Sequence, residues 1–483
     1  MIFLGIDIGT QSLKAMLTDA ALRPLGSGSV AYQPSYPQPG WAEQDPAIWL
    51  AALQPAIAGA LAEARLQPDD VTAMAICGQL DGCIATAADG RALGPAIIWM
   101  DRRALASIAG IDPMLVRDRA GVVLDAIHMA AKIRWRREHL DTPDAVAVWH
   151  QPVSFLVEAL TGARVMDHCL ASTTMLYGLA SKGWDDALLE AFAIDPATLP
   201  AIAEASSVAG RLNARGAALT GLKTGLPLAV GTGDDFSNPI GCGICAAGTV
   251  GVTLGTGEAL GALATTPIID PGMLVETHAF PGGNFYLSNP GWMSGGAVRW
   301  FQSVFSVASA AEFSELAAAA PPGSDGLLFI PALSGAMAPR WVPEARGTFY
   351  GMSAAHTKAH FARAVLEGTS FAMRDVVDRL DALGVETGTI RAVGGGAASP
   401  VWMQIRADLT GRPVDAMTEG DASALGAAVL ASVAGGAFAE TRAASQALDL
   451  PLRRIEPVAA RYAVYDDAYW RYRKLFDALE PLY

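Results

Sequence analysis

The chain opens on an apolar run at residues 2–8, broken only by Gly5 and Asp7, which predicts a buried strand ending in a turn. A second apolar stretch at 13–19 follows at once, so the two predict a hairpin around Gly9, Thr10, Gln11 and Ser12. Residues 46–64 are alanine-rich with apolar positions spaced by three and four. They predict a helix begun by Asp45 as cap and Pro46 in the first turn. Residues 71–77 read as the next buried strand, with Gly78-Gln79-Leu80-Asp81-Gly82 as the loop at its end. Residues 96–100 read as another strand, ending at Asp101-Arg102-Arg103. Residues 228–230 give a shorter one, ending in Gly231-Thr232-Gly233-Asp234-Asp235. The pattern then restarts. Residues 249–254 predict a strand running into Gly255-Thr256-Gly257, residues 390–393 one running into Gly394-Gly395-Gly396, and residues 421–433 a packed helix rich in Gly and Ala. Two halves that each open on a strand and a Gly-Thr turn predict a duplicated α/β architecture with a cleft between, divided near residue 240 into 1–240 and 241–483.

Size agrees, because 483 residues exceed what a single growing core accommodates. A composition of 52% hydrophobic and 17% charged residues is that of a packed globular chain rather than a disordered one. A formal net charge of −14, with no basic stripe, argues against nucleic acid as a partner. It does not argue against ATP, whose phosphates can be held by backbone N–H groups and a divalent cation. The five cysteines form an odd, sparse set, which predicts a reducing, cytoplasmic setting. Cys242 and Cys245 have C-x-x-C spacing, but without a second ligand pair or a redox context they read as packed apolar residues. No signal-peptide pattern precedes the first strand, and no uninterrupted apolar run has the length of a membrane span, so a soluble protein is expected.

Phosphoryl transfer asks a protein for positioning and charge neutralisation more than for covalent chemistry. Gly9-Thr10 provides a turn whose N–H groups and hydroxyl can approach phosphate, and Asp7 just before it can hold Mg²⁺ through water. Gly255-Thr256-Gly257 provides a second such turn from the other half. Either alone would be an ordinary hairpin; two at corresponding places point to phosphate. Neither G-x-x-x-x-G-K-[ST] nor a dinucleotide fingerprint is present. Asp234-Asp235 is a carboxylate pair at a strand end, able to divide the labour of base and hydrogen-bond acceptor. Asp81 and the Asp101-Arg103 cluster also lie at strand ends, where ligands of parallel sheets gather. His128, His139 and His150 read as structural. His356 and His360 are four apart, but no third ligand or intervening Glu makes them a zinc pair.

With these loops assembled, the chain resembles the FGGY carbohydrate kinases from about residue 2 to 435, and within that family its xylulokinase branch. Gly5-Ile-Asp-Ile-Gly-Thr10 is similar to the family's first phosphate loop, and Trp41-Ala-Glu-Gln-Asp-Pro46 to a W-x-E-Q-D-P segment. Ala131-Lys-Ile-Arg-Trp135 fits the K-[LI]-x-W core of the first family signature. Gly347-Thr-Phe-Tyr-Gly-Met352, seven residues, then His360 to Glu367 fit the second. Gly394-Gly-Gly-Ala397 with Ser399, Trp402 and Gln404 resembles the adenosine loop and its helix, and Ala424-Leu-Gly-Ala-Ala428 the C-terminal pattern.

The resemblance implies two ribonuclease-H-like domains of the actin/Hsp70/hexokinase-type ATPase fold with an interdomain cleft. The first half would carry sugar and phosphate, the second the nucleotide. It implies ATP and Mg²⁺ as cofactors, a small sugar or polyol as partner, and a possible homodimer. It further implies Asp234 as catalytic base and Asp7 as the Mg²⁺ residue. Thr10, Gln11, Lys14, Gly255, Thr256, Gly295, Arg299, Gly395, Gly396, Ala397 and Ser399 would lie about ATP. Leu80, Asp81, Asp101, Arg103, Asp234 and Asp235 would lie about the acceptor. The chain departs from xylulokinases where they read G-Q-M-H-G, with Asp81 replacing the His, and G-D-N, with Asp235 replacing the Asn. Leu333-Ser-Gly-Ala-Met-Ala-Pro339 likewise lacks the polar groups of L-S-G-E-R-T-P. Exchanging a His and an amide for carboxylates removes donors and adds acceptors, which suits a substrate offering more hydroxyl donors. The expectation is a kinase of a pentulose, with D-xylulose first. Another ketose or polyol (ribulose, a tetritol, a pentitol, a glycerol-like compound) and a non-catalytic nucleotide-sensing relative stand as alternatives.

Overall fold

The computed structural model describes residues 1–418 and 420–483. Two seven-stranded sheets organise the chain. The first runs Val208–Arg211, Pro227–Ala229, Val71–Gly78, Ile2–Ile8, Ser12–Thr18, Pro24–Ala31, with Thr232–Gly233 also paired to Val71–Gly78. The second runs Glu276–Phe280, Asn284–Met293, Gly257–Ala264, Thr249–Leu254, Thr389–Val393, Val414–Met417, Leu452–Ile455. In each, the opening strand lies antiparallel to its hairpin partner and parallel to a strand that returns much later. The restart in the sequence pattern is therefore a repeat of topology. Leu4, Ile6 and Ile8 are fully buried, as expected of a strand covered on both faces.

Helix Pro46–Ala64 starts as its sequence predicts, with the Asp45 carboxylate accepting from the Ala47 N–H at 2.9 Å. Among the described residues it alone is long and apolar enough to cross a membrane, with a mean hydropathy of 1.4. Its packing shows a different use. A Cβ on Gly28 would lie 2.1 Å from the Ala56 carbonyl, and one on Gly26 2.5 Å from that of Ala60, so the helix is pressed onto the first sheet as its covering layer.

Two expected strands change. Residues 96–100 form only a two-residue strand, Ala96–Ile97, paired with Glu43–Gln44 outside the main sheet. The chain turns after Ile98, burying Asp101 and leaving Trp99 45% exposed, so the apolar run is not a core strand. The expected strand at 228–230 is Pro227–Ala229. After Gly231, at φ +79°, Thr232–Gly233 rejoins the sheet and feeds helix Asp234–Gly241. A Cβ on Gly231 would sit 2.1 Å from the Ile76 carbonyl, so only glycine lets the chain pass and place Asp234 as the first residue of that helix. Cys242 and Cys245 are buried free thiols in an apolar cluster with Ile240 and Ile244.

The halves meet at two places. Helix Asp234–Gly241 crosses helix Ala422–Ala434 at Gly241 and Gly426, where added Cβ atoms would lie 2.0 Å from the Ala422 and Ser237 carbonyls. The same second-half helix lies on Gly5 of the first sheet. At the other place, edge strand Glu276–Phe280 docks on the first half: Thr277 N–H donates to the Gly121 carbonyl at 2.8 Å and Ala279 N–H to Ser172 Oγ at 3.1 Å. The cleft lies between these contacts.

Candidate active site

A small cavity of about 60 Å³ sits between the halves, with Leu80, Asp81, His128 and Asp235 on one wall and Glu276, His278 and Tyr286 on the other. Asp81 is held from three sides. Its N–H donates to Gln151 Oε1 at 2.8 Å, its carbonyl accepts from Lys132 Nζ at 2.5 Å, and its carboxylate faces His128 Nδ1 at 3.3 Å. These contacts hold it at φ +58°, a left-handed conformation that Asp tolerates better than most residues. Lys132, wholly buried, is pushed down to about 8 by that burial. Burial would also lower His128, but the Asp81 and Glu276 carboxylates outweigh it and push it up to about 10. Glu276 accepts from Val123 N–H at 2.8 Å. Burial would raise its carboxyl, and the two imidazoles hold it below the usual range instead.

Asp235 opens to the cleft beside Asp234. Desolvation raises Asp235, with His278 opposing and Asp81 adding to the rise. Asp234, half-buried at the helix start, is raised well above the ordinary carboxylate range by desolvation, then by Asp235, then by Asp7. Gly233 pairs with Gly78, and Gly78 with Ile8, so Asp234 stands between the cavity and the first glycine hairpin.

In that hairpin Asp7 pairs in register with Lys14 on one side and Cys77 on the other. It is 7% exposed and its Oδ1 has no hydrogen-bond partner. Burial and the Asp421 carboxylate push it up to about 7 against the pull of Lys14. The turn is clamped: Tyr32 Oη donates to the Gly9 carbonyl at 2.8 Å, Gln44 Nε2 to the Thr10 carbonyl at 2.8 Å, and Trp99 Nε1 to Thr10 Oγ1 at 3.0 Å. Gln79 Nε2 donates to Gln44 Oε1 at 2.6 Å, so an amide chain ties the 78–82 loop to this turn. Gln11 is exposed at the tip, its carbonyl accepting from Tyr32 N–H. Lys14 is not a free phosphate ligand here: its ammonium contacts Asp421 Oδ2 of the other half at 2.6 Å.

The second half carries a cavity of about 800 Å³, within the size range of small-molecule sites. Gly255, Thr256, Gly295, Arg299, Gly395, Gly396 and Ser399 all line it, as do Gln302, Ser314 and Trp402. Gly295 lies so close that a Cβ would fall 2.3 Å from the Gly255 carbonyl, and Arg299 Nη2 donates to Thr256 Oγ1 at 2.5 Å. Helix Gly295–Val304 therefore starts against the hairpin, the Gly296 N–H donating to the Thr256 carbonyl at 2.8 Å, and its positive dipole end suits an anion. Beneath, fully buried Arg406 donates to both oxygens of Glu258 at 2.6 Å, and Ser294 Oγ joins them at 2.7 Å.

Besides Lys14, four sequence-derived positions read differently in the structure. Asp101 and Arg103 do not line the small cavity. Arg103 donates to Asp101 at 2.7 Å and to Glu43 at 2.6 Å, and lies 3.6 Å over the Trp41 ring; Asp101 also accepts from Ala42 N–H. Their charges satisfy each other in the wall that holds the Trp41–Pro46 segment. Ala397 is buried in the 394–398 turn with its carbonyl toward Arg453, and Ala398 lines the larger cavity instead. His128 is a cavity residue rather than a purely structural one, and Glu276 and His278 join it unannounced. The one available signal was that His128 stands a helical turn before Lys132 of the matched K-I-R-W motif. No spacing rule connects residues 276 and 278 to either.

A carboxylate poised between a small polar cavity and a pair of glycine hairpins, with a nucleotide-sized cavity beyond, is a layout that suits phosphoryl transfer. Residues 2–241 match the N-terminal domain, and residues 250–435 the C-terminal domain, of the FGGY family of carbohydrate kinases. The chain belongs to that family and is a sugar or polyol kinase that uses ATP. It is 30% identical to the xylulose kinase of Escherichia coli over 490 residues, covering 99% of each chain. It is 32% identical to the glycerol kinase of Thermococcus kodakarensis over 452 residues, 91% of this chain and 89% of the relative. The solved structure of a xylulose kinase from Rhodospirillum rubrum superposes with a TM-score of 0.92 at 30% identity, covering 100% of this chain and 99% of the other.

Proposed function

We propose that the chain transfers the terminal phosphoryl group of Mg·ATP to a terminal hydroxyl of a pentulose or closely related neutral polyol. The observation that carries this reading is the placement of Asp234. It adjoins Asp235 of the acceptor cavity, feels the charge of Asp7, and has a raised proton affinity suited to taking a proton from an alcohol. Thr10 and Thr256 present hydroxyls and backbone N–H groups to the phosphates from opposite halves, and the Gly395–Ser399 side receives the nucleoside. The unpartnered Oδ1 of Asp7 fits a water-mediated Mg²⁺ contact, and the bound ion would supply charge neutralisation at the phosphates. Residues 1–240 form the acceptor and phosphate side and 241–483 the nucleotide side; the last strand of the first sheet ends at Gly233 and the second sheet begins at Thr249. The five free, buried thiols fit a reducing, cytoplasmic setting.

Overall similarity ranks D-xylulose first among acceptors. Comparable identity to glycerol kinases supports glycerol-like polyols as the second reading. Purified protein with ATP, Mg²⁺ and a panel of ketoses, polyols and glycerol, coupled to ADP detection, tests both. Acceptor-dependent ADP release is expected, strongest with a pentulose. Glycerol turned over faster than every ketose would favour the second reading, and ADP release unaffected by any acceptor would reject both.

A further inference from the structure

The acceptor cavity contains polar atoms that nothing in the protein satisfies. His128 is fully buried at the start of helix Met129–His139, with Nδ1 toward Asp81. Its Nε2 has no hydrogen-bond partner and lies 3.7 Å from Glu276 Oε1 on the opposite half. His278 Nδ1 is likewise without a partner, while its Nε2 lies 3.6 Å from Glu276 Oε2. Leaving such donors and acceptors unpaired in a buried wall is costly, so an orphan pair at a cavity marks where a ligand atom belongs. The 3.7 Å gap is too long for a direct hydrogen bond, yet one oxygen about 2.8 Å from both atoms spans it. That oxygen must donate to the carboxylate and accept from the imidazole. An alcohol does both, in place of the water that fills such a gap when no substrate is bound; a carbonyl or carboxylate cannot donate, and an ammonium cannot accept.

The geometry points to His128, Glu276 and His278 as specificity-determining residues that bind substrate hydroxyls across the boundary between the halves, which selects neutral, hydroxyl-rich acceptors and rejects sugar acids. The inference rests on reading this cavity as the acceptor site. Asp81, Asp235 and Glu276 bring three carboxylates to one small space. His128 is shared between Asp81 and Glu276, Lys132 Nζ is taken up by the Asp81 and Ile127 carbonyls, and among the described residues no Lys or Arg lines the cavity. A substrate carboxylate therefore adds negative charge that no free cation there meets.

Paired substitutions separate reading a substrate from holding the wall. Glutamine carries an amide near the ring Nε2 position, asparagine near Nδ1. For His128 the substrate-facing atom is Nε2 and the wall-holding atom is Nδ1; for His278 the assignment is reversed. All four variants should raise the acceptor KM. His128→Asn should raise it about tenfold more than His128→Gln, and His278→Gln about tenfold more than His278→Asn, with the KM for ATP unchanged. Equal effects within each pair, or the opposite order, would overturn the inference in favour of a structural role. Wild-type protein supplies a test that needs no variant. Single-deoxy analogues of the best acceptor should include one whose KM rises about tenfold or more, and a flat series would overturn the inference. A wild-type preference for a sugar acid would also overturn it while leaving the pentulose-or-polyol kinase reading to be revised only in acceptor. Absence of turnover on every acceptor would reject the proposed function, and this inference with it.

Discussion

The two glycine hairpins occupy the same place in the same topology, yet they are built on opposite electrostatic plans. In the first, the carboxylate precedes the turn. Asp7 is buried, only partly offset by Lys14, and keeps an oxygen unpartnered. In the second, Thr253 stands two residues before the glycine, and the carboxylate follows the turn as Glu258. There it is saturated by both arms of Arg406 and by Ser294. The first arrangement is unsettled until something binds; the second is settled before anything does. A duplicated scaffold thus separates a chemically poised wall from a rigid one. The positive helix end and the 800 Å³ cavity belong to the rigid side, and Asp234 to the poised side.

The sharpest way to test this division is Asp234→Asn, which should lower kcat by about 10²–10⁴-fold while nucleotide binding, followed by calorimetry, stays near wild type. Near-normal turnover would remove the base from the poised wall. Next is Glu258→Gln, which leaves Arg406 buried with a weakened partner. It should lower stability by about 3–5 kcal/mol in urea unfolding, and an apolar double replacement of Glu258 and Arg406 should lower it less. If the single variant unfolds like wild type, the second hairpin does not owe its rigidity to that pair.

Gly295→Ala comes third. Its Cβ would stand 2.3 Å from the Gly255 carbonyl, so the hairpin must move. The KM for ATP should rise about tenfold with little change in the acceptor KM, because the displaced atoms face only the nucleotide cavity. The smallest effect is the most diagnostic. Asp7 binds its proton more tightly folded (about 7) than unfolded (3.8), so its ionisation opposes folding fully above pH 7 and not at all below about 3.8. Asp7→Asn should therefore raise Tm by about 2–4 °C at pH 8 and leave it unchanged at pH 3.5, even though activity falls. A lower Tm at pH 8 would mean that Asp7 is held by attraction, as Glu258 is, and the contrast between the hairpins would collapse.

Much of this layout was legible along the chain. The hairpin at Gly9-Thr10, its repeat at Gly255-Thr256, the Asp45-Pro46 helix start and the Gly394–Gly396 turn are local patterns, and local backbone rules suffice to read them. What failed did so for a common reason. The apolar run 96–100 looked like a core strand because its residues are apolar; the turn after Ile98 that buries Asp101 and exposes Trp99 depends on the distant Glu43–Gln44 segment. Asp101 and Arg103 looked free for a ligand because the sequence does not show that each is the other's partner. Lys14 looked free because Asp421 lies on the other half of the chain.

By itself, the sequence determined the duplicated α/β plan, the kinase family, the base at Asp234 as a candidate, and the positions of the two glycine turns. Each follows from residues close together in the chain or from motifs with set spacing. The tertiary structure alone decided which charges are already satisfied and which face a cavity. It gathered His128, Glu276 and His278 around Asp81 and Asp235, because strand Glu276–Phe280 docks against the first half. Charge pairing and orphaned hydrogen-bond groups depend on distance in space, which no spacing along the chain encodes.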